Sequence, residues 1–283
     1  MAADYNPGMC FLTLPVIFDL QERICRMGFQ IGDILIPYYG LCMAIGVILA
    51  GAVGLWLVHV FHRDVDDFII LAACVGLGGL AGAKILYFIV SWGEIDVSRL
   101  TDMKYLAYVM GSGFVFYGGL LGGLVSIAVC QKAFHIDVLD FASFAVPCIP
   151  IVHGIGRIGC SLAGCCYGIP YSGFGAVTYT DSLTAPNGIS LFPVQKTEAV
   201  CNLLIAAVLL IYIYRNRMKT RNSLLLYLML YAPVRFVLEY FRYDEERGFL
   251  LGISTSQWIS VFLFAGALFC YVVRKRKKSI KSL

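Results

Sequence analysis

The sequence predicts an all-α, polytopic membrane protein of about seven transmembrane helices, with its N-terminus outside and its C-terminus cytoplasmic. Three observations predict it. Hydrophobic residues make up 59% of the 283-residue chain and charged residues only 14%, where soluble domains carry roughly 25% charge to cover their surface. The apolar residues fall in blocks of about 20, the length that crosses ~30 Å of hydrocarbon at ~1.5 Å per residue. The Lys and Arg residues gather at alternate ends of those blocks.

The blocks lie at roughly 36–60, 68–91, 112–131, 142–165, 192–214, 222–241 and 255–273. Each is too long for a barrel strand, which alternates over about 10 residues. The length suits one membrane domain at 36–273, with an extracytoplasmic segment at 1–35 before it and a basic cytoplasmic tail at 274–283 after it. Asp4, Asp19, Glu22, Arg23 and Arg26 surround a short apolar run near the N-terminus, so the spans rather than a cleavable signal are expected to direct insertion. Six of the 22 Lys and Arg lie between Arg274 and Lys281, and four between Arg215 and Arg221. With the N-terminus outside, the inner loops and tail hold 12, the outer segments hold 7, and Lys84, Arg157 and Arg235 fall inside spans. These basic runs flank the lipid bilayer and lack interleaved aromatics, so no nucleic-acid partner is expected.

The longest outer loop, 166–191, is rich in small and polar residues, with a turn at Pro186-Asn187-Gly188. Such a loop either covers a site or only connects. No internal repeat points to a transporter built from inverted halves. The 11 cysteines are odd in number and scattered through apolar spans, so a complete disulfide framework is not expected. Most read as small buried hydrophobes.

A charge at the bilayer centre costs about 2.5–3.5 kcal/mol, which singles out Lys84, Arg157, Arg235 and Glu239. Arg235 and Glu239 are four apart and share a helix face, where they can pair. Arg157 has no acid in its own span and sits among Gly154, Gly156 and Gly159. Two arginines against one glutamate leave net positive charge. A guanidinium fork matches phosphate oxygens in a bidentate way, and the abundant phosphate of a membrane is a phospholipid head group. Lys84 either adds to that cavity or snorkels to the outer interface.

Phe116-Tyr117-Gly118-Gly119-Leu120-Leu121-Gly122-Gly123 reads as close helix packing, or as room for a lipid with the Tyr117 phenol at its polar part. Tyr38-Tyr39-Gly40 reads as an interfacial anchor or as part of the same site. His153, one turn before Arg157, is a helix contact, a proton acceptor or a metal ligand. Cys160, Cys165 and Cys166 lack C-x-x-C spacing. Plain packing, a disulfide from Cys165 or Cys166 to another outer-face cysteine, and a metal site with His153 are the alternatives. No metal and no cofactor is expected.

These residues carry a resemblance. Gly156-Arg157-Ile158-Gly159-Cys160, ending in Gly164-Cys165-Cys166-Tyr167-Gly168, resembles the Gly-Arg-x-Gly-Asn to Gly-Glu-x-x-Gly signature of prolipoprotein diacylglyceryl transferases, in a Gly-Cys-Cys-Tyr-Gly variant. Further pieces resemble the family in the same order. Tyr39-Gly40 matches its Tyr-Gly, and Tyr117-Gly118-Gly119 its His-Gly-Gly. Pro193-Val194-Gln195-Lys196-Thr197-Glu198 matches its Pro-x-Gln-x-x-Glu. Arg235 to Glu239 matches its Arg-x-x-x-Glu, followed by Arg242, Arg247-Gly248 and Gln257.

The resemblance implies an enzyme of the bacterial cell membrane that performs the first step of lipoprotein maturation. It moves the diacylglyceryl group of phosphatidylglycerol onto the lipobox cysteine thiol beside a prolipoprotein signal peptide, and glycerol phosphate leaves. By that reading Arg157 and Arg235 hold the phosphate and Glu239 orients Arg235. Tyr39, Gly118, Gly119, Gly156, Gly159, Cys160, Gly164, Cys165, Gly168, Gln195 and Glu198 line the substrates.

The chain departs from the family at three positions: Tyr117 stands for histidine, Cys160 for asparagine and Cys165 for glutamate. A phenol of ordinary pKa ~10 is a poor base, so His153 becomes the candidate proton acceptor beside Tyr117. The departures keep two other classes open: a lipid-binding or lipid-transporting paralogue without transferase activity, and a membrane thiol oxidoreductase using the cysteine cluster.

Overall fold

The computed structural model describes residues 28–31, 34–93, 95–111, 113–216, 222–243 and 249–280. Most of the 1–35 segment and the Arg247-Gly248 pair lie outside the described residues. The described chain is mostly helical. A short hairpin of β1 (Gly28–Ile31) and β2 (Ile34–Pro37) leads into α1 (Tyr38–Val60), which is followed by α2 (Val65–Val90). A 3-10 turn at Val97–Thr101 and the short α3 (Met103–Gly111) precede α4 (Phe116–Ala133). Then come α5 (Val138–Ala145), α6 (Cys148–Ala163), the paired strands β3 (Val177–Thr178) and β4 (Ser190–Leu191), and α7 (Val194–Asn216). The chain ends with α8 (Ser223–Glu239), the hairpin of β5 (Phe249–Leu250) and β6 (Ile253–Ser254), and α9 (Thr255–Ile280).

Local chemistry sets the helix ends. Asp64 accepts from the N–H groups of Asp66 and Asp67 at 2.8 and 3.1 Å and caps α2. Ser254 and Gln257 form a reciprocal capping box at the start of α9, at 3.0 and 3.2 Å.

Each expected block forms a helix, but not all span alike. Among the described residues five helices are long and apolar enough to cross a membrane, or six if α5 and α6 count as one broken span. The expected span at 142–165 breaks at Val146-Pro147 with a 55° bend, because proline lacks the N–H that would continue the ladder. The expected span at 222–241 forms α8, whose 17 residues include Pro233. At ~1.5 Å per residue that is about 26 Å, short of the ~30 Å hydrocarbon layer.

The chain divides into two compact units. The first comprises Met1–Ala50, Ile149–Leu210 and Leu225–Leu283; the second comprises Gly51–Cys148 and Ile211–Leu224.

In the second unit α2 and α4 meet along glycines. A Cβ on Gly118 would collide with the Gly82 carbonyl, and one on Gly122 with the Gly78 carbonyl. Close packing therefore accounts for Gly118, and Gly119 makes ordinary contact with Gly79 and Ala83. Tyr117, beside them, is exposed. Gly118→Val is expected to force the two helices apart and destabilise the protein by about 1–3 kcal/mol or more, measurable as a lowered midpoint of thermal unfolding in detergent.

Lys84 belongs to the second unit. It is buried, donates to the backbone carbonyls of Val109 and, at 3.3 Å, Gly113, and lies 4.6 Å from the Tyr87 ring centroid. It satisfies carbonyls at the end of α3, where a cation is favoured. Lys84→Met would bury those acceptors without their donor. A loss of roughly 1–3 kcal/mol is expected, with phospholipid binding per folded molecule unchanged.

An aromatic cluster of Phe61, Phe68, Phe141 and Phe144 fills the same unit. Beside it Arg63 grips Asp140 through two nitrogens at 2.9 and 2.8 Å.

Candidate functional site

Three helices of the first unit each carry polar side chains on one face of an otherwise apolar surface. On α6 they are His153, Arg157 and Cys160, spaced by four and three. On α7 they are Gln195, Glu198 and Asn202, spaced by three and four. On α8 Tyr227, Tyr231, Arg235 and Glu239 follow one another by four. Helical periodicity stacks each set on one side.

Small residues let the helices close. A Cβ on Gly154 would stand 3.2 Å from the Ala199 carbonyl of α7. One on Gly159 would stand 3.1 Å from the Cα of Tyr39, and one on Gly156 2.8 Å from the Met43 sulfur of α1. Gly156 and Gly159 thus seat α6 on α1, and Gly154 seats it on α7.

Glu198 is the centre of the arrangement. Its side chain is 1% exposed. Its Oε2 lies 3.0 Å from Arg157 Nε and its Oε1 lies 3.4 Å from His153 Nε2. The Asn202 amide donates to the Glu198 carbonyl at 2.9 Å. The expectation that Arg157 lacks an acid therefore holds only within its own helix, and the count of two arginines to one glutamate is corrected. The His153 ring lies 5.5 Å from that of Tyr231, and Tyr231 stacks on Tyr227. On α8 Arg235 Nη1 pairs with Glu239 Oε2 at 2.9 Å, as the four-residue spacing predicts.

Each buried arginine gives one nitrogen to an acid. Among the described residues, the remaining guanidinium nitrogens of Arg157 and Arg235 make no further side-chain ion pair. Arg242, just past α8, lies within electrostatic range of Arg235 and His153. Arg157 and Arg235 thus each keep guanidinium nitrogens beyond the acid they pair with, donors suited to an anion.

The loop after α6 closes over the end of that helix. Gly164 takes φ 69°, a left-handed value suited to glycine, and Cys165 N–H returns to the Cys160 carbonyl at 3.2 Å. Thr184 Oγ1 donates to the Gly164 carbonyl at 2.8 Å. Buried Gln195 donates to the Cys165 carbonyl at 2.9 Å and to the Tyr179 hydroxyl at 3.3 Å, and Tyr179 donates to the Ser161 carbonyl at 3.1 Å. Burial pushes the Tyr179 phenol up, so it remains a donor at neutral pH.

Gly168 is wedged between the chain at Phe192 and at Phe241, with no room for a Cβ. Ile169 N–H bonds the Phe241 carbonyl and Phe192 N–H bonds the Ile169 carbonyl, at 3.0 and 2.9 Å. That mat sets Arg242 beside Gly168. The loop is thus bound to the end of α6, to α7 and to the chain after α8.

Tyr39 is half exposed at the start of α1, in electrostatic range of Arg157 and the three cysteines. Cys160, Cys165 and Cys166 bring their sulfurs within 4.8 Å of one another. The described cysteines are all free thiols. Gln257 serves the α9 cap and donates to the Phe236 carbonyl at 3.3 Å, which steadies α8. Tyr117, Gly118 and Gly119 belong to the second unit.

The sequence profile of the prolipoprotein diacylglyceryl transferase family matches residues 26–273. The chain is 34% identical over 251 residues to phosphatidylglycerol–prolipoprotein diacylglyceryl transferase 2 of Clostridium perfringens, covering 88% of this chain and 94% of that one. It is 35% identical over 251 residues to the phosphatidylglycerol–prolipoprotein diacylglyceryl transferase of Clostridium tetani, covering 88% and 98%. It is 30% identical over 266 residues to one from Dehalococcoides mccartyi strain BAV1, covering 92% and 98%.

Proposed function

Because the chain belongs to the prolipoprotein diacylglyceryl transferase family, we propose that it moves the diacylglyceryl group of phosphatidylglycerol onto the lipobox cysteine thiol of a bacterial prolipoprotein. The observation that carries the reading is the buried Glu198 carboxylate held between Arg157 and His153. It fixes one guanidinium edge and leaves the other for a phosphate. Arg235, aligned by Glu239, offers a second cation from the neighbouring helix. Charge builds on the phosphate oxygen as the glyceryl carbon–oxygen bond breaks, and fixed guanidinium donors stabilise that charge more than they stabilise the bound lipid.

Glu198 Oε1 stands 3.4 Å from His153 Nε2 without a hydrogen bond, and its negative charge favours a proton on that nitrogen. Nδ1 is then the acceptor for the thiol proton, the role that the Tyr117 phenol fills poorly. Tyr39, Gln195, Cys160, Cys165 and the glycines Gly156, Gly159, Gly164 and Gly168 shape the substrate surface; Gly118 and Gly119 act through the packing of α4.

The same reading places the protein in the bacterial cell membrane with seven spans, the N-terminal segment 1–35 outside, the catalytic domain at 36–273 and the tail at 274–283 inside. The excess of Lys and Arg in the segments assigned to the inside supports this orientation. So does α9, whose basic last turns suit both the helix dipole and an anionic inner leaflet.

The test is transfer from labelled phosphatidylglycerol to a lipobox peptide in proteoliposomes. Thioether product well above an Arg157→Ala control supports the proposal. Lipid binding that depends on Arg157 and Arg235, with no thioether product, would replace it with a lipid-binding paralogue.

A further inference from the structure

Cys160, Cys165 and Cys166 take no part in the ion pairs of the site, yet the backbone works to gather them. Cys160 is buried on the last turn of α6 and the other two are half-buried. Gly164 turns the chain at φ 69°, and Cys166 follows at φ 56°. A non-glycine residue in that region is uncommon and strained, a strain that clusters where function requires a geometry. The double turn brings all three sulfurs within 4.8 Å of one another. Three thiolates bound to one tetrahedral cation at ~2.3 Å stand about 3.8 Å apart. The sulfurs here need close by no more than about 1 Å, within reach of side-chain rotation.

We propose that Cys160, Cys165 and Cys166 form a site for one thiophilic divalent cation of the zinc class. Thiolate donors select soft and borderline metals. Three thiolates and a dication carry one net negative charge. Arg157 lies in electrostatic range of Cys160 and Cys166, and Arg242 of Cys166, so the surroundings offset it. The sequence left a metal site with His153 as one alternative for these cysteines; the structure gathers the three sulfurs by the turn after α6 rather than by a C-x-x-C run, and His153 is not among them.

Among the described residues no fourth Cys, His, Asp or Glu joins the cluster, so the fourth ligand comes from outside it. A consequence rests on the transferase reading: the acceptor thiol is the fitting fourth ligand, since a coordinated thiol is deprotonated outright. Its proton is released to water on coordination. The sulfur electron pair then forms the C–S bond to the glyceryl carbon, and the C–O bond to phosphate breaks. Glycerol phosphate leaves with the electron pair of the broken C–O bond.

The test uses the untagged full chain in detergent, kept reduced and titrated with Zn2+ and with Co2+. One Zn2+ per chain and a cobalt–thiolate charge-transfer band are expected. Cys160→Ser and Cys166→Ser should each weaken binding on the order of 100-fold, and Cys270→Ser, on the exposed face of α9, should not. In the unsubstituted chain Zn2+ should protect Cys160, Cys165 and Cys166 from alkylation, which keeps the test independent of how the variants fold.

No band, or a band that survives both serine variants, overturns the site, as does alkylation unaffected by Zn2+. Stoichiometric binding without any lipid transfer supports the site and removes the function proposed above. Transfer that continues at full rate in the chelator-stripped protein overturns the catalytic consequence.

Discussion

Glu198→Gln is expected to lower the rate of diacylglyceryl transfer by about 100-fold or more, the equivalent of ~2.7 kcal/mol at the transition state. The carboxylate is 1% exposed and touches both groups on which the chemistry depends, Arg157 at 3.0 Å and His153 at 3.4 Å. Glutamine keeps the shape and removes the charge. Arg157 would then be left as a buried cation without its carboxylate partner. Breaking such a pair from one side costs about 3–5 kcal/mol, and the guanidinium relieves it by moving toward water or lipid phosphate, out of its catalytic position. His153 at the same time loses the negative charge beside its Nε2. The turnover number should fall more than apparent lipid affinity, because both losses act on the reacting geometry. Glu198→Asp, with a shorter reach, should fall between the two. Steady-state transfer in proteoliposomes measures this, and a glutamine variant within threefold of the parent rate would remove Glu198 from the centre of the site.

Much of this site was open to reading in the chain, and what was missed has physical causes. The Arg235–Glu239 pair follows from spacing within one helix, and the structure has it at 2.9 Å. The Arg157–Glu198 pair joins two helices, so no spacing announces it. A signal was nonetheless present: Gln195, Glu198 and Asn202 recur at three and four residues in an apolar run, a polar stripe that requires a partner surface. The partners of Lys84 were illegible, because backbone carbonyls have no sequence identity. The break between α5 and α6 was legible at Pro147, while the length of α8 depends on where its last turn unwinds. The grouping of Cys160, Cys165 and Cys166 was legible, with packing, a disulfide and a metal site as alternatives, but the closeness of their sulfurs was not, because it comes from the left-handed backbone at Gly164 and Cys166.

Arg157→Lys is expected to be nearly as inactive as Arg157→Ala, with transfer reduced by roughly 100- to 1,000-fold. The reason is the division of labour within one guanidinium. Nε is held by Glu198 at 3.0 Å, and the two terminal nitrogens extend beyond it in the same rigid plane. One side chain thereby meets the carboxylate and a phosphate at once. A lysine ammonium is a single point charge on a flexible stem. Drawn to Glu198 in a buried setting, it satisfies the carboxylate and abandons the phosphate; drawn to the phosphate, it leaves Glu198 uncompensated. Charge is conserved in the variant, so folding should survive better than in the alanine variant while transfer does not. That separation distinguishes a geometric role from a merely electrostatic one. Single-turnover transfer and the thermal unfolding midpoint, measured on the parent, lysine and alanine proteins, give the contrast. A lysine variant that retains more than a tenth of the parent rate would show that positive charge alone suffices at this position, and the forked contact with phosphate would have to be given up.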